Sequence, residues 1–379
     1  MHRYDLIILG AGAAGLMAAA LADTDNILIL EHNSRPAAKI KVSGGGRCNI
    51  TNENISSSFY LADREFVSTV FEIFDNKKLL ALLKKEGLKP VLRKRDQYFC
   101  PKSSDELIEI LLRLTERVEK RFDAEVSGAR KEGRDFVVES SAGSFYAKRL
   151  LVATGGLGYK SLGAGPVGFE IAESFGHTVV PCRPALVGLT LQPEQFWMKE
   201  LSGLSLPVEI SVGRRKIGGD LLFAHRGISG PAVLNASLFW SRGKITIDFL
   251  PGIRLKSLFK KGSNKSVASL LPLPRRFAES FFEAVGVEAI SYEKMSEEQK
   301  QRLSLIKSYS MAPAGTFGYE RAEVTKGGVS TDEIDPLTMQ SRLVEGLYFA
   351  GEVVDVTGMV GGYNFQWAFS SAAVAAKSV

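Results

Sequence analysis

The run YDLIILG near the N-terminus is apolar without interruption, breaks at a glycine turn, and leads into an alanine-rich stretch. That succession predicts a buried strand, a tight turn and a helix. A second apolar run, NILILE, ends at Glu31 and completes a βαβ unit. Residues 64–86 and 104–121 keep apolar positions at three- and four-residue spacing, which predicts amphipathic helices, with Gly87 as a C-cap. From Glu125 to Ala153 the runs shorten. AEVSGARK, FVVES, SFYAK and RLLVATGG predict a three-stranded antiparallel meander, then a buried strand ending at Ala153-Thr154-Gly155-Gly156. Short β-rich runs over 186–252 predict a small barrel or sandwich, and 253–308 reads as helical and basic. VTKGGVS (324–330) returns to strand and turn, EGLYFAGEVVDVTG (345–358) is a strand leaving at a glycine, and GGYNFQWAFSSAAVAAKSV predicts a final helix. The fold class is therefore α/β: a doubly wound domain over 1–185, an inserted domain over 186–323, and completion of the first domain over 324–379.

A chain of 379 residues is long for one core, which agrees with two domains. No apolar run approaches the roughly 20 residues that span a bilayer, and the N-terminal apolar run passes straight into a βα turn, unlike a signal peptide. The three cysteines, Cys48, Cys100 and Cys182, are far apart and odd in number. A disulfide framework is not expected, and the reading is cytoplasmic, without a membrane partner. Four histidines with no His or Cys pair at ligand spacing give no metal site. The oligomeric state is not legible.

The net charge of +6 is concentrated: residues 186–320 hold 18 Lys and Arg against 12 Asp and Glu. Within 253–278 there are seven basic residues, Lys260, Lys261, Arg275 and Arg276 among them, and no acid. Such a stretch is either a solvated face or a contact for a polyanion such as RNA.

Gly10-Ala11-Gly12-Ala13-Ala14-Gly15 follows a strand and opens a helix. Gly10 permits the turn, Gly12 lets a pyrophosphate approach the backbone, and Gly15 lets the helix pack on the sheet, its N-terminus facing the negative charge. Glu31, 16 residues beyond Gly15, ends the second strand where a carboxylate can bind ribose hydroxyls. Two further glycine-ended strands, LLVATGG and LYFAGEVVD, favour FAD, whose long body runs from the first βα turn toward the far end of the domain. Gly351, Glu352 and Asp355 would lie near its middle. Gly361-Gly362-Tyr363-Asn364 would set bare N–H groups of a helix start against the flavin pyrimidine, which becomes negative on reduction. His32, Lys39, Val126 and Ala153-Thr154-Gly155-Gly156 complete the expected cofactor set.

In KVSGGGRCN, Ser43-Gly44-Gly45-Gly46 would pass the cofactor where a side chain would collide. Arg47, Cys48 and Asn49 would then lie beside the flavin ring and its substrate. Cys48 reads alternatively as a small buried hydrophobe. A second G-x-G-x-x-G, residues 163–168, follows no apolar strand and contains Pro166, so it reads as a loop opening a helix, not as a nucleotide domain. NADH or NADPH would then visit the flavin transiently.

KIKVSGGGRCNITN (39–52), FAHRGISGPAVLNAS (223–237), VTKGGVS (324–330) and GLYFAGEVVDVTGMVGGYNFQWAFSSA (346–372) together resemble the bacterial BaiN-like NAD(P)/FAD-dependent oxidoreductases over nearly the whole chain. The resemblance implies a glutathione-reductase-like FAD domain with an inserted β-barrel and helical domain. Family activities include bile-acid-type reduction, aminoacetone oxidation and reduction of a uridine in large-subunit ribosomal RNA. One departure is RDQYFCPKS (95–103), where Cys100 intervenes and the family more often shows glycine-arginine before phenylalanine-proline.

These readings converge on an FAD-dependent oxidoreductase passing hydride from NAD(P)H through flavin N5 to an electron-poor double bond, with a ribosomal RNA uridine as leading substrate. A small-molecule oxidase or ene-reductase is the alternative, and a flavin-binding RNA-interaction protein without turnover is a third reading. The second proton would come from Cys48 or from His225, which closes a strand of the inserted domain beside Arg226 and reads alternatively as structural.

Overall fold

The computed structural model describes residues 2–259 and 263–379, so Lys260 and Lys261 lie outside the described residues. The chain forms two compact units, Met1–Pro184 with Glu323–Val379, and Ala185–Ala322.

In the first unit β1 (Arg3–Leu9), α1 (Ala13–Leu21) and β2 (Ile27–Leu30) form the βαβ unit. Leu6, Ile7, Ile8 and Leu9 are at most 1% exposed, each such side chain contributing about 1.5–3 kcal/mol of burial. Next come α2 (Ala38–Gly46), β3 (Asn49–Asn52) and β4 (Tyr60–Leu61). The segment 64–86 is two helices, α3 (Arg64–Ile73) and α4 (Asn76–Lys85). The break falls at Asp75, whose carboxylate accepts the Lys78 N–H at 2.8 Å and so caps a new helix. β5 (Val91–Arg93) and β6 (Gln97–Phe99) form a hairpin joined to β3. The segment 104–121 is helical only as α5 (Asp105–Leu114); Glu119–Arg121 is an edge strand, β7.

β8 (Val126–Glu132), β9 (Asp135–Ser140) and β10 (Gly143–Val152) follow. SFYAK and RLLV are one strand, not two. The first half of β10 pairs antiparallel with β9 through residues 143–147, while residues 146–152 pair parallel with β1. α6 (Val167–Ser174) and β11 (Val179–Ala185) lead to the second unit.

There β12 (Leu189–Thr190), β13 (Ser205–Val212), β14 (Arg215–Ala224), β15 (Gly227–Ser229), α7 (Pro231–Phe239), β16 (Ile245–Asp248), α8 (Val267–Leu270), α9 (Arg275–Val285), α10 (Glu297–Ser304), β17 (Tyr309–Met311) and β18 (Gly315–Thr316) follow in order. The seven strands form one antiparallel path, β17-β16-β13-β14-β15-β12-β18. Among the described residues no ladder joins β17 to β18. The core of this unit gathers Phe223, Phe249, Phe277 and Phe281, each at most 1% exposed.

Back in the first unit, β19 (Val324–Val329) pairs with β11, β20 (Leu347–Phe349) lies parallel to β10 through residues 150–152, and β21 (Thr357–Gly358) pairs with β4. α11 (Tyr363–Ala376) packs on α1 and β3. The main sheet runs β7-β2-β1-β10-β9-β8, with β20 beside β10. No helix of the described residues is long and apolar enough to cross a membrane, and none of their side-chain groups could hold a metal ion.

Candidate cofactor-binding site

A cavity of about 440 Å³ opens at the carboxyl ends of β1, β2 and β10 in the first unit, where open α/β sheets place their ligands. Gly10, Gly12, Ala13, Ala14, Glu31, His32, Lys39, Val126, Ala153, Thr154, Gly155, Gly156, Gly351, Glu352 and Asn364 all line it.

Each glycine of the fingerprint is explained by what a Cβ would meet. At Gly15 it would lie 1.9 Å from the Gly10 carbonyl oxygen, and at Gly10 2.7 Å from the Ala153 carbonyl oxygen. Helix and strand thus approach too closely for a side chain. At Gly12 a Cβ would meet nothing within 4 Å, because the space beside it is the cavity itself. α1 has no side-chain cap and no acid in its first turn, so its N–H groups are left for an anion. Thr154 Oγ1 is buried without a hydrogen-bond partner at this wall. An open cradle, an uncapped helix start and an orphaned hydroxyl fit a dinucleotide.

Glu31 is 7% exposed and already doubly engaged: Oε2 accepts the Ala11 N–H at 2.8 Å and Oε1 the Asn33 N–H at 2.9 Å. It therefore shapes the turn before it meets any ribose; Oε1 also lies 3.2 Å from His32 Nδ1, so Oε2 is the oxygen that keeps a lone pair for that purpose. Glu352 is a second hub. Its Oε2 accepts from Lys39 Nζ at 2.7 Å and its Oε1 from the Thr325 N–H at 2.9 Å, while Thr325 Oγ1 accepts the Leu157 N–H at 2.7 Å.

The sequence reading missed one wall. Leu162 through Val167, the second glycine motif, lines this same cavity. Gly163 holds φ of 90°, a left-handed conformation that favours glycine, and a Cβ there would sit 1.9 Å from His32 Nε2. The motif is a loop opening α6 and serves this cavity. Asn33 also belongs to it, its Nδ2 donating to the Leu162 carbonyl at 3.1 Å.

Other expected residues lie off the cavity wall. Ser43 Oγ donates to the Ile40 carbonyl, and Gly44, Gly45 and Gly46 hold φ of 57°, 67° and 81°. At Gly44 a Cβ would crowd the Asn49 N–H at 2.9 Å and Phe99 at 3.0 Å, so that glycine is set by packing inside the protein; at Gly45 and Gly46 a Cβ would meet nothing. Gly361 and Gly362 precede α11, and a Cβ at Gly362 would meet the Thr51 carbonyl at 2.6 Å. Tyr363 stacks on Phe59 and its carbonyl accepts from Tyr60 Oη, a core position; burial pushes its own phenol up to about 12. Asn364, which does line the cavity, clamps the loop by bonding both the N–H and the carbonyl of Gly358. Asp355 is held through its N–H to Val329, and burial raises its carboxyl. Asn49 Nδ2 donates to Gln97, leaving Oδ1 buried and unpartnered. Arg47 is exposed.

Cys48 is corrected. It is 0% exposed and its thiol meets the thiol of Cys100, which, together with burial, holds its pKa well above the ordinary value. A proton donor must touch the ring it serves, and this thiol faces protein on every side. Its place is in packing. The Cys100 departure thus has a structural counterpart: the two residues meet, and the Cys100 N–H bonds the Arg47 carbonyl at 3.0 Å. Native protein is expected to react with one equivalent of a thiol reagent, at Cys182. That reaction is slow because burial, with Asp355 and Glu352, pushes Cys182 up to about 11. Three fast equivalents before denaturant is added would return Cys48 to the reactive surface.

In the second unit His225 and Arg226 are exposed between β14 and β15, with Arg226 5.5 Å from the Phe317 ring centroid. Arg275 pairs with Glu279 at 2.7 Å, and Arg276 donates to the Glu200 carbonyl.

The sequence matches the family described as HI0933-like protein Rossmann domain over residues 4–378. It is 37% identical to the ribosomal RNA dihydrouridine synthase of Escherichia coli, over 100% of this chain and 98% of that protein. It is 31% identical to the 3-dehydro-bile acid delta(4,6)-reductase of Clostridium scindens, over 98% of each. Among solved structures, Mycobacterium smegmatis Sdh1 in complex with UQ1 shares the fold, with a TM-score of 0.51, 15% identity, and coverage of 100% of this chain and 68% of that one.

Proposed function

The chain belongs to the HI0933-like family of FAD-dependent oxidoreductases that use NAD(P)H, and from that premise we propose that it reduces a uridine of large-subunit ribosomal RNA to dihydrouridine. The observation that carries this reading is the 37% identity to the Escherichia coli ribosomal RNA dihydrouridine synthase across the whole of both chains. FAD, when bound, supplies two-electron chemistry. The chain's own part is to hold and orient. The N–H groups at the start of α1 would take the pyrophosphate, the free lone pair of Glu31 Oε2 the ribose, and Thr154 Oγ1 a further polar group.

Saturating the uracil C5–C6 bond takes one hydride and one proton. The exposed Arg254, Lys256 and Lys265 supply positive charge toward RNA on the second unit.

The test is mass spectrometry of nucleosides from large-subunit ribosomal RNA of cells with and without the gene. A dihydrouridine present only with the gene is expected, and a protein bearing Thr154→Val with weakened FAD retention should restore it only in part. Identical nucleoside profiles would sink the RNA reading. The second reading, reduction of a small conjugated carbonyl compound, is favoured by the 31% identity to the bile acid reductase. It would then be taken up with enone substrates.

A further inference from the structure

Several cations of the second unit are answered by its own acids. Lys307 pairs with Asp248, Lys300 with Glu297 and Arg302 with Glu298, each at 2.7 Å. One end of its sheet is different. β13 and β14 meet in a two-residue turn, Gly213-Arg214, closed by the pairing of Val212 with Arg215. The ladder of β13 with β16 ends at Ser211 opposite Thr246, so the loop that enters β16 leaves the sheet at the same end, beside that turn. Neighbouring strands lie about 4.7–4.9 Å apart. Arg214, Arg215, Lys216, Arg242 and Lys244 are thus gathered at one sheet end, and all five are exposed. The only acid over residues 210–247 is Asp220, which lies down the hairpin opposite Pro207.

Two of the five have partners that fix them. Lys216 pairs with Glu209 at 2.8 Å, and the Arg215 guanidinium lies 4.3 Å from the Phe239 ring centroid. The other three, Arg214, Arg242 and Lys244, make no ion pair among the described residues. The backbone beneath them is held. Gly213 and Gly243 turn the chain at φ 58° and 85°. The Gly243 carbonyl accepts from Trp240 Nε1 at 2.9 Å, and Trp240 is buried, so an indole anchors the loop between Arg242 and Lys244. Cations on an anchored turn lose less conformational freedom on meeting an anion than cations on a loose one. Like charges with no acid among them also repel, and an arriving anion relieves that repulsion.

We propose that this sheet end of the second unit is a phosphate-binding surface for an RNA backbone, on which Arg214, Arg242 and Lys244 each meet a phosphate. The proposal rests on the RNA reading above and names where the protein grips that RNA. An extended polyanion is the partner that several cations, spread along one sheet end, can meet at once. Contacts of this kind hold the strand without reading its sequence.

The test uses the FAD-loaded full chain carrying Arg214→Gln, Arg242→Gln and Lys244→Gln together. The three side chains are exposed and make no ion pair among the described residues, so the melting temperature and FAD content should stay at wild-type values. Binding to protein-free large-subunit ribosomal RNA is followed as a function of salt. For single-stranded contacts each phosphate contributes about 0.7 to the log–log slope. The triple variant is expected to lose about 2 from that slope and to bind at least roughly tenfold more weakly at low salt. Arg214→Lys with Arg242→Lys keeps the charge and should keep the wild-type slope. An unchanged slope and affinity in the triple variant overturns the surface, and the RNA reading then stands or falls on uridine reduction by the wild type. Weakened binding at unchanged slope also overturns the surface, because the lost contact is then not with phosphates. A wild-type protein that neither binds this RNA nor reduces its uridine removes the RNA reading, and this surface with it.

Discussion

A Gly12→Ala protein is expected to fold as stably as the wild type and to emerge without its yellow cofactor. The backbone at Gly12 is extended, at φ −84° and ψ −165°, which alanine adopts freely. The added Cβ touches no protein atom within 4 Å, so the FAD-free variant should unfold within about 0.5 kcal/mol of wild type. The same methyl occupies cavity space that the pyrophosphate needs. Overpacking of about 1–3 kcal/mol would weaken FAD roughly 5- to 100-fold. Flavin absorbance per chain and thermal unfolding of the FAD-free protein measure the two effects separately. Gly15→Ala is the contrasting case. Its Cβ would meet a backbone oxygen at 1.9 Å, α1 would have to leave β1, and both cofactor and fold should be lost. A Gly12→Ala protein that retains full FAD would show that the cofactor does not approach this turn.

Glu31→Ala is expected to destabilise the protein with or without cofactor. From the sequence alone the acid reads as a ribose ligand, whose loss would affect FAD retention only. The structure adds two internal duties, the N–H groups of Ala11 and Asn33. Leaving both unpaired costs about 1–3 kcal/mol each, a large part of a stability of about 5–15 kcal/mol. Glu31→Gln keeps one carbonyl acceptor and turns an amide donor toward the other N–H, so it should fall between wild type and alanine. Thermal melts of the FAD-free proteins decide the matter: a Glu31→Ala melt equal to wild type, with only FAD retention lowered, would mean that these two bonds stabilise nothing.

The parts legible in the sequence are those written in local pattern. The βαβ unit, the fingerprint, Glu31 and the C-terminal helix each carry a contiguous signal, and fifteen of the residues expected at the cofactor do line one cavity. What was not legible depends on contacts distant in sequence. Nothing near Cys48 announces that residue 100 will face it. The glycines of the 44–46 loop and of 361–362 look alike on paper, yet Gly44 and Gly362 are required by neighbouring protein atoms. The 163–168 motif follows no strand and holds Pro166, so its sequence reads as a loop with no nucleotide role, and only the folded chain shows that loop against His32. The split of 64–86 rests on one aspartate whose side chain turns back to cap a helix. Short alternating strands over 186–252 specify a sheet, while closure depends on whether its two ends meet.

The strand β10 has a consequence for how the protein comes into being. It lies between β1 and β20, so the central layer unites residues 3–9, 146–152 and 347–349. On a ribosome adding about 5–20 residues per second, the segment Ala185–Ala322 is complete while β20 and α11 are still unmade. That contiguous segment can collapse on itself as it emerges. The discontinuous unit must wait, its parallel edge on β10 open and its apolar helix face on α1 uncovered, until the last part of the chain arrives. α11 supplies both the cover for α1 and part of the cavity wall. The cofactor cavity is therefore completed only after α11 has been made, several seconds later than the segment Ala185–Ala322.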